Sequence, residues 1–289
     1  MPVRIVQSKQ NARLRDLRRA LASPGRKGEA AGIEGRNLIE EAVRAGLTIR
    51  CLFLAQESEP LLEELALPPE AGMETEILLV PKALLDAALT TETPQPVAAL
   101  VEPHDWTWTH LLDGQNGGQG KAAPLILILA GLQDPGNLGT ILRSAEAFGA
   151  TGAVSLPGTV NAWNPKAVRA SAGSVFRVPV IAASEKECFA KLREAHVQVW
   201  TTTSREAQPA NLADLAKPVA LLIGNEGNGV SSDLARQASG ALTISCPGPV
   251  ESLNAAVATS VLLYEAARQR ATSKPVSVGG LAEHRGARR

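Results

Sequence analysis

The sequence is poor in aromatic residues, in cysteine and in long hydrophobic runs. Phe, Trp and Tyr supply only 3% of the 289 residues, so Leu, Ile, Val and Ala must fill the core. No run of about 18 apolar residues occurs, which argues against a membrane-spanning helix, and the N-terminus lacks the order of a signal peptide. The three cysteines are widely spaced, which indicates reduced thiols in a cytoplasmic protein and gives no metal-ligand pattern.

Net charge is absent as well, because 29 basic residues balance 29 acidic ones. The zero is an average over unequal parts: residues 1–36 carry six net positive charges, residues 37–110 ten net negative and residues 111–289 four net positive. A basic arm on an acidic first region indicates a polyanionic partner. A solvated helix face is the alternative interpretation.

The composition divides the chain into two domains. We expect a first domain over residues 1–105, a glycine-rich linker over 106–123, a second domain over 124–272 and a flexible tail over 273–289. In the first domain, apolar runs and helical patterns predict a small α/β sandwich. The predicted strands are Ile49–Leu54, Ile77–Val80 and Val97–Val101, and the predicted helices are Ser8–Ala22, Arg36–Ala45, Leu61–Leu65 and Lys82–Leu89.

The second domain alternates strand and helix more regularly. Its pattern is typical of βα units and predicts a mostly parallel sheet. Ligands of such sheets bind at the carboxyl ends of the strands, so we expect the functional residues in the loops that follow. The predicted strands are Leu125–Ala130, Ala153–Leu156, Val197–Thr201, Val219–Ile223 and Leu242–Ser245, and the predicted helices are Leu138–Phe148, Lys186–Ala195 and Ala255–Ala267.

The loop after the first of these strands opens a helix near Asn137. Arg143 lies nearly opposite the apolar stripe of that helix, so core packing does not explain it. The structural alternatives are an ordinary exposed arginine and, for Asn137, a helix cap.

Two later loops also carry unusual sequence. Residues 224–231 place three glycines within six positions after a buried strand, which suits either close approach of a ligand or a simple turn. Residues 244–254 deliver Ser252 and Asn254 to the start of an apolar helix. There they contact a ligand or cap the helix.

The order and spacing of these loops resemble a known family. Asn137–Arg143, Ile223–Gly227 and Pro247–Asn254 are similar to motifs 1, 2 and 3 of the SpoU (TrmH-like) RNA ribose methyltransferases, which belong to the SPOUT superfamily. Arg169–Gly173 also resembles that family, and residues 8–35 resemble part of its substrate-binding domain. The resemblance covers nearly the whole chain apart from the linker and the tail.

The resemblance implies an α/β fold with a C-terminal SPOUT domain, a trefoil knot and a preceding small α/β domain of the L30e-like kind. It further implies S-adenosylmethionine as methyl donor, a ribose 2′-hydroxyl in RNA as acceptor, and a homodimer in which both subunits build each site. The implied catalytic residues are Arg143, Asn137, Glu226, Ser252 and Asn254. The implied cofactor-binding residues are Thr202, Gly224, Ile244 and Leu253.

Roles follow from the resemblance in the same way. Arg143 is either a general base for the ribose hydroxyl or a ligand of the adjacent phosphate that steadies the developing alkoxide. The second role suits a guanidinium better, because it hardly deprotonates. Glu226 and Asn137 are predicted to hydrogen-bond each other. Ser252 and Asn254 are predicted to orient the substrate or the cofactor.

The RNA itself is not identified by the sequence. We expect 23S ribosomal RNA, with transfer RNA and resistance methylation of ribosomal RNA as alternatives. The rival interpretations are a catalytically silent RNA-binding or ribosome-assembly protein and a nicotinamide-dependent dehydrogenase. This sequence lacks the Gly-x-Gly-x-x-Gly fingerprint that a dehydrogenase would carry after its first strand, which argues against the second rival. Trp106 and Trp108 either stack on bases or, as we favour, pack at the domain boundary. The expected RNA-binding residues are Arg13, Arg15, Arg18, Arg19, Arg26 and Lys27.

Overall fold

The protein contains two α/β domains, each built on its own sheet. The computed structural model describes residues 3–22, 28–65, 67, 75–113, 123–203, 207–225, 227, 229–250 and 252–272. Within these ranges no helix is long and apolar enough to cross a membrane.

The first domain has a five-stranded mixed sheet in the order β1-β4-β3-β5-β2. Its strands are β1 (Val3–Ile5), β2 (Ala31–Glu34), β3 (Ile49–Ala55), β4 (Glu76–Val80) and β5 (Val97–Val101), and its helices are α1 (Ala12–Ala22), α2 (Arg36–Arg44), α3 (Leu61–Glu64) and α4 (Lys82–Asp86). The three predicted strands and four predicted helices are present. The prediction missed β1 and β2, which have three and four residues and too few apolar positions to show alternation.

Helices α1 and α2 cover opposite faces of this sheet. Successive strand residues point to opposite faces, and Phe53 packs with Leu14 and Leu17 of α1 whereas Leu52 packs with Leu38 of α2. The apolar core on the α2 face continues into the second domain. Helix α2 therefore faces the second domain, and the basic helix α1 lies on the far side.

The second domain has a seven-stranded, all-parallel sheet in the order β10-β12-β9-β11-β6-β7-β8. Its strands are β6 (Leu125–Leu129), β7 (Gly152–Ser155), β8 (Val180–Ala182), β9 (Gln198–Thr202), β10 (Gln208–Pro209), β11 (Val219–Ile223) and β12 (Gly240–Thr243). The helices are α5 (Trp108–Asp113), α6 (Pro135–Ala147), α7 (Pro165–Ser171), α8 (Glu185–Glu194), α9 (Ser232–Ala235) and α10 (Ala255–Thr272). The predicted parallel sheet is confirmed, and the prediction missed the short elements α5, α7, β8, β10 and α9.

The segment predicted as a linker is folded over its described part. Helix α5 occupies residues 108–113, and Leu111 is fully buried among side chains of the second domain. Trp106 and Trp108 pack against the same core, and the Trp108 indole N–H donates to Glu187 at 3.0 Å. Both tryptophans thus have the packing environment that we favoured. Residues 114–122 and the tail from residue 273 lie outside the described residues.

Helices α6 and α7 cross at very short distance. A Cβ atom on Gly139 of α6 would lie 2.4 Å from the Ala167 carbonyl oxygen and 2.6 Å from the Ala170 Cβ. Only glycine permits this approach. The opposite side of α6 buries Leu138 and Ile141, as its apolar stripe predicts.

Gly139→Ala should therefore destabilise the fold. In an exposed helix this change stabilises by about 1 kcal/mol, but here overpacking should lower the free energy of unfolding by about 1–3 kcal/mol. Thermal unfolding of Gly139→Ala should show a lower midpoint than that of the original protein. Thr140→Ala, at the next and exposed position, is the control and should keep the original midpoint. A midpoint that rises in Gly139→Ala would show that the helices separate freely.

Candidate active site

Four strand ends meet at one edge of the parallel sheet. Strands β12, β9, β11 and β6 are neighbours, and because all run in the same direction their carboxyl ends are adjacent. Thr202 ends β9, Gly224 follows β11 and Ile244 follows β12. The loop after β6 leads into α6, which carries Asn137 and Arg143. The fold thus assembles the three loops at the edge where the sequence predicts the site.

Asn225 joins the loop after β11 to the loop after β6. Its Nδ2 donates to the Gly131 carbonyl at 2.8 Å, and its Oδ1 accepts from the Gly227 N–H at 2.9 Å. Its backbone also pairs with Gly229 in both directions, at 2.8 and 3.0 Å. The sequence interpretation chose the residues on either side, Gly224 and Glu226, and missed Asn225. A polar residue two positions after the end of a buried strand was the available signal.

Gly224 is required by its own loop. A Cβ at this position would lie 2.2 Å from the Gly229 carbonyl carbon and 2.4 Å from the Val230 nitrogen. We expected Gly224 for close approach of a ligand. The collision shows that closure of the turn already demands glycine, so loss of cofactor binding in Gly224→Val would not separate the two causes.

The start of α6 differs from the prediction. The helix begins at Pro135, and Asp134 is its N-cap, accepting the Gly136 N–H at 2.9 Å. This hydrogen bond, followed by the Lys166 ammonium at 3.3 Å, lowers the pKa of Asp134 below its usual value. Asn137 is therefore inside the first turn, and a cap role for it is wrong.

Asn254 links the loop after β12 to α6. Its Nδ2 donates to Asn137 Oδ1 at 3.1 Å, while its Oδ1 accepts the N–H groups of Ala256 and Val257 at 2.9 and 3.3 Å. The cap interpretation of Asn254 is confirmed, and the same amide also contacts α6, whereas its contact with a ligand stays a prediction. Ser252 is exposed and makes no hydrogen bond to another described residue. Glu226 lies outside the described residues, so its pairing with Asn137 stays a prediction.

Arg143 presents its positive charge to solvent. It is exposed on α6, and no carboxylate among the described residues forms an ion pair with it. The next residue, Ser144, contacts Ser260 of α10 with 2.7 Å between the hydroxyl oxygens. Six residues of helix place Arg143 about 9 Å along the axis from Asn137. An exposed guanidinium beside the loop cluster is suited to bind an anion.

The remaining predicted cofactor-binding residues, Thr202, Ile244 and Leu253, combine a polar and two apolar side chains. Ile244 and Leu253 are half-buried, and Ile244 packs on the main core. The Thr202 hydroxyl donates to the Leu222 carbonyl at 3.1 Å, so it stabilises the ends of β9 and β11. Backbone groups at adjacent strand ends with apolar side chains over them suit a nucleoside, whose base needs both hydrogen bonds and an apolar face.

Some arginines of the predicted basic arm form ion pairs with carboxylates of the first domain. On α1, Arg13 pairs with Glu76 at 2.8 Å and Arg19 with Asp16 at 3.3 Å, all with solvent access. The Glu76 hydrogen bond raises the pKa of Arg13 further. Among described residues, Arg15 and Arg18 have no carboxylate partner. Arg26 and Lys27 lie outside the described residues.

Comparison with known proteins gives the class of this fold and site. The profile of the SpoU rRNA methylase family matches residues 124–264, and that of the RNA 2′-O ribose methyltransferase substrate-binding family matches residues 33–107. The structure is similar to an AdoMet-bound rRNA methyltransferase from Sinorhizobium meliloti, with a TM-score of 0.77, 30% identity, and coverage of 92% of this chain and 98% of that one. It is equally similar to AviRb from Streptomyces viridochromogenes in complex with AdoMet, with a TM-score of 0.77, 28% identity, and coverage of 92% and 100%.

Two curated sequences extend the likeness. An uncharacterized tRNA/rRNA methyltransferase of Mycolicibacterium vanbaalenii is 33% identical over 82% of this chain and 76% of its own length. RlmP, a 23S rRNA guanosine 2′-O-methyltransferase of Bacillus subtilis, is 28% identical over 90% of this chain and 97% of its own length. The fold and the site are those of an RNA methyltransferase that uses S-adenosylmethionine. The chain belongs to the SpoU rRNA methylase family.

The residues at the sheet edge fit this cofactor. The half-buried Ile244 and Leu253 would supply the apolar contacts that an adenine ring needs, and the adjacent strand ends would supply backbone donors and acceptors. When bound, S-adenosylmethionine supplies an electrophilic methyl group. The chain supplies the pocket, the exposed Arg143 and the Asn137–Asn254 link that holds the loops.

Asn254→Ser should separate the two tasks of Asn254. Serine keeps an N-cap acceptor for α10 but cannot reach Asn137. Thermal stability should stay within about 0.5 kcal/mol, whereas methyl transfer from labelled S-adenosylmethionine to RNA should fall up to about tenfold, the worth of one hydrogen bond. Asn254→Ala, which also loses the cap, should lose about 1 kcal/mol of stability as well. Full activity in Asn254→Ser would show that the link to Asn137 is dispensable.

Proposed function

We propose that this protein methylates a ribose 2′-hydroxyl of 23S ribosomal RNA. The observation that carries the proposal is the exposed Arg143, which has no carboxylate partner among the described residues, on the helix that follows the loop to which Asn225 and Asn254 tie the other two loops. The 23S substrate is supported by the similarity to RlmP, a 23S rRNA methyltransferase by name, which matches this chain over nearly the whole RlmP sequence. Relatives described as tRNA/rRNA methyltransferases make transfer RNA the second candidate.

Arg143 acts as an electrostatic group in this proposal. Bound S-adenosylmethionine would supply the methyl group that the ribose oxygen accepts and would leave as S-adenosylhomocysteine, and the hydroxyl proton would pass to solvent or to a base. A guanidinium keeps its protons, so it is a poor base and a good ligand for phosphate and for a developing alkoxide. The general-base role is the alternative. Asn137, Glu226, Ser252 and Asn254 orient Arg143, the substrate or the cofactor.

Arg143→Ala should abolish methyl transfer while leaving the fold and cofactor affinity intact, because the side chain is exposed and removes no core contact. Rate loss should reach about 100-fold or more, as for other groups that stabilise developing charge. Transfer of labelled methyl to unmodified 23S rRNA measures the rate, and calorimetry measures cofactor binding. Thr140→Ala, on the same exposed face, is the control. Unchanged transfer in Arg143→Ala would refute this role.

The acceptor and the RNA are tested by mapping. Methylation mapped across 23S rRNA and total tRNA, incubated separately with protein and S-adenosylmethionine, should place a single 2′-O-methyl group in 23S rRNA. A 2′-deoxy substitution at that nucleotide should block transfer. Methylation of tRNA alone would select the second candidate, and no methylation of either would favour the silent RNA-binding protein.

We propose that the first domain binds RNA through α1. Among the described residues of α1, the exposed Arg15 and the half-buried Arg18 have no carboxylate partner, and the ion pairs of Arg13 and Arg19 are weak enough to exchange for phosphate. Arg26 and Lys27, which follow α1 in the sequence and lie outside the described residues, are further candidates.

Arg15→Gln should reduce the salt dependence of RNA binding. Each lost phosphate contact should lower the slope of log affinity against log salt by about 0.7–0.9. Fluorescence anisotropy with labelled 23S rRNA fragments over a salt series measures the slope. Arg50→Gln, which breaks an exposed pair with Glu102, is the matched control. Equal slopes in both variants would remove α1 from the interface.

We also propose a homodimer. Val257, Val261 and Tyr264 form one exposed stripe on α10, 49%, 40% and 56% exposed, and Tyr264 meets Phe148 edge-to-face at 5.9 Å. Such a stripe at i, i+4 and i+7 is suited to pack against a helix of a second copy, next to the α6 face that carries Arg143. The trefoil knot and the cytoplasmic location stay predictions.

A further inference from the structure

The segment of residues 165–177 contacts both the first domain and α6. The sequence marks part of it, Arg169–Gly173, as family-like without giving it a task. In the structure, Arg169 of α7 donates to Glu34 of β2 at 2.7 Å, and Arg177 donates to Glu41 of α2 at 2.7 Å. Two arginines of the second domain thus bind two glutamates of the first.

The Glu34 carboxylate is enclosed. Only 6% of the residue is exposed, and its second oxygen accepts the Thr90 N–H at 3.1 Å while the first accepts the Thr90 hydroxyl at 3.0 Å and Arg169. The partner Arg169 is more open, with 37% of its side chain exposed. A buried carboxylate with three donors is a directional contact, and removing its cation leaves a charge without compensation.

The same segment is fixed to α6. Arg177 holds Glu146 of α6 with two nitrogens, which lowers the pKa of Glu146 and raises that of Arg177. Gly173 has φ of +86°, and a Cβ there would lie 2.7 Å from the Glu41 Cβ. Together with the crossing at Gly139, these contacts connect the first domain to the helix that carries Arg143.

We propose that Arg169 is a positioning residue: through Glu34 it holds the first domain at one angle to α6, and that angle selects which ribose of a bound RNA reaches Arg143. The inference rests on the proposed function. Helix α1 lies on the sheet face away from the second domain, so RNA bound there must span the first domain. Neighbouring nucleotides of an RNA strand lie close together, so a small change of angle presents the next ribose.

One readout needs no RNA. Cys246 is exposed whereas Cys51 and Cys188 are buried, with thiol pKa values raised to about 12 by burial. Spin labels on Cys246 and on Glu57→Cys, an exposed position of the first domain, report the distance between domains. Labelled protein is diluted with excess unlabelled protein so that only pairs within one chain are measured. We expect a narrow distribution that broadens or shifts in Arg169→Gln and stays narrow in Arg169→Lys and in Arg50→Gln.

The second readout is the methylation map on unmodified 23S rRNA. Arg169→Gln should lower kcat/KM at the main nucleotide by about 100-fold, the cost of misplacing a substrate by about 1 Å, and should add methyl groups at neighbouring nucleotides. Cofactor affinity should not change. Arg169→Lys should restore the single position, and Arg50→Gln should match the original protein.

Each contrary outcome overturns the proposal. An unchanged distance with lost methylation would place Arg169 in the site itself, and a broadened distance with an unchanged map would remove it from nucleotide selection. If the original protein does not methylate 23S rRNA, the proposed substrate fails, and the distances alone decide whether Arg169 holds the domain. If Arg169→Gln unfolds, Glu34→Gln, which removes the charge that Arg169 pairs with and keeps the size of the side chain, should give the broadened distance and the added methyl groups, and original-like results in both measurements would overturn the proposal.

Discussion

The close crossing of α6 and α7 at Gly139 is the constraint on which the arrangement of the site depends. Helix α6 begins at the carboxyl edge of the sheet and carries Asn137 and Arg143, while α7 carries Arg169 toward the first domain. A side chain at Gly139 would separate the helices by more than 1 Å to restore ordinary contact distances. The contact between α6 and α7 therefore links the helix that follows the active-site loop to the helix that binds the first domain.

Amide side chains hold the loops where a charge would be costly. Asn225 and Asn254 each use both ends of the amide, one end on their own loop and the other on the neighbouring loop. An amide donates and accepts at once without a charge to desolvate. The positive charge of Arg143 consequently faces solvent and substrate without a carboxylate partner among the described residues.

The sequence was sufficient for the parallel sheet and for the edge at which the candidate loops meet, because alternation of strands and helices determines a parallel sheet whose strands all end at one edge. It was insufficient for contacts that depend on packing. Asp134 caps α6 because Pro135 starts the helix earlier than the apolar stripe suggests, and the Asn137–Asn254 bond joins residues 117 positions apart. The sequence analysis also missed short elements such as β2 and α7. These two elements carry Glu34 and Arg169, whose ion pair joins the domains.

The charge pattern has a structural explanation in the two-domain contact. Part of the acidity of residues 37–110 is used internally, since Glu41 binds Arg177 of the second domain and Glu76 binds Arg4 and Arg13. Exposed pairs such as that of Arg13 contribute little to stability and can be exchanged for phosphate, whereas the buried Glu34 has no comparable substitute for Arg169. One set of arginines is thus available to a polyanion and the other is committed to the domain interface, and neutrality of the whole chain is compatible with localised RNA binding.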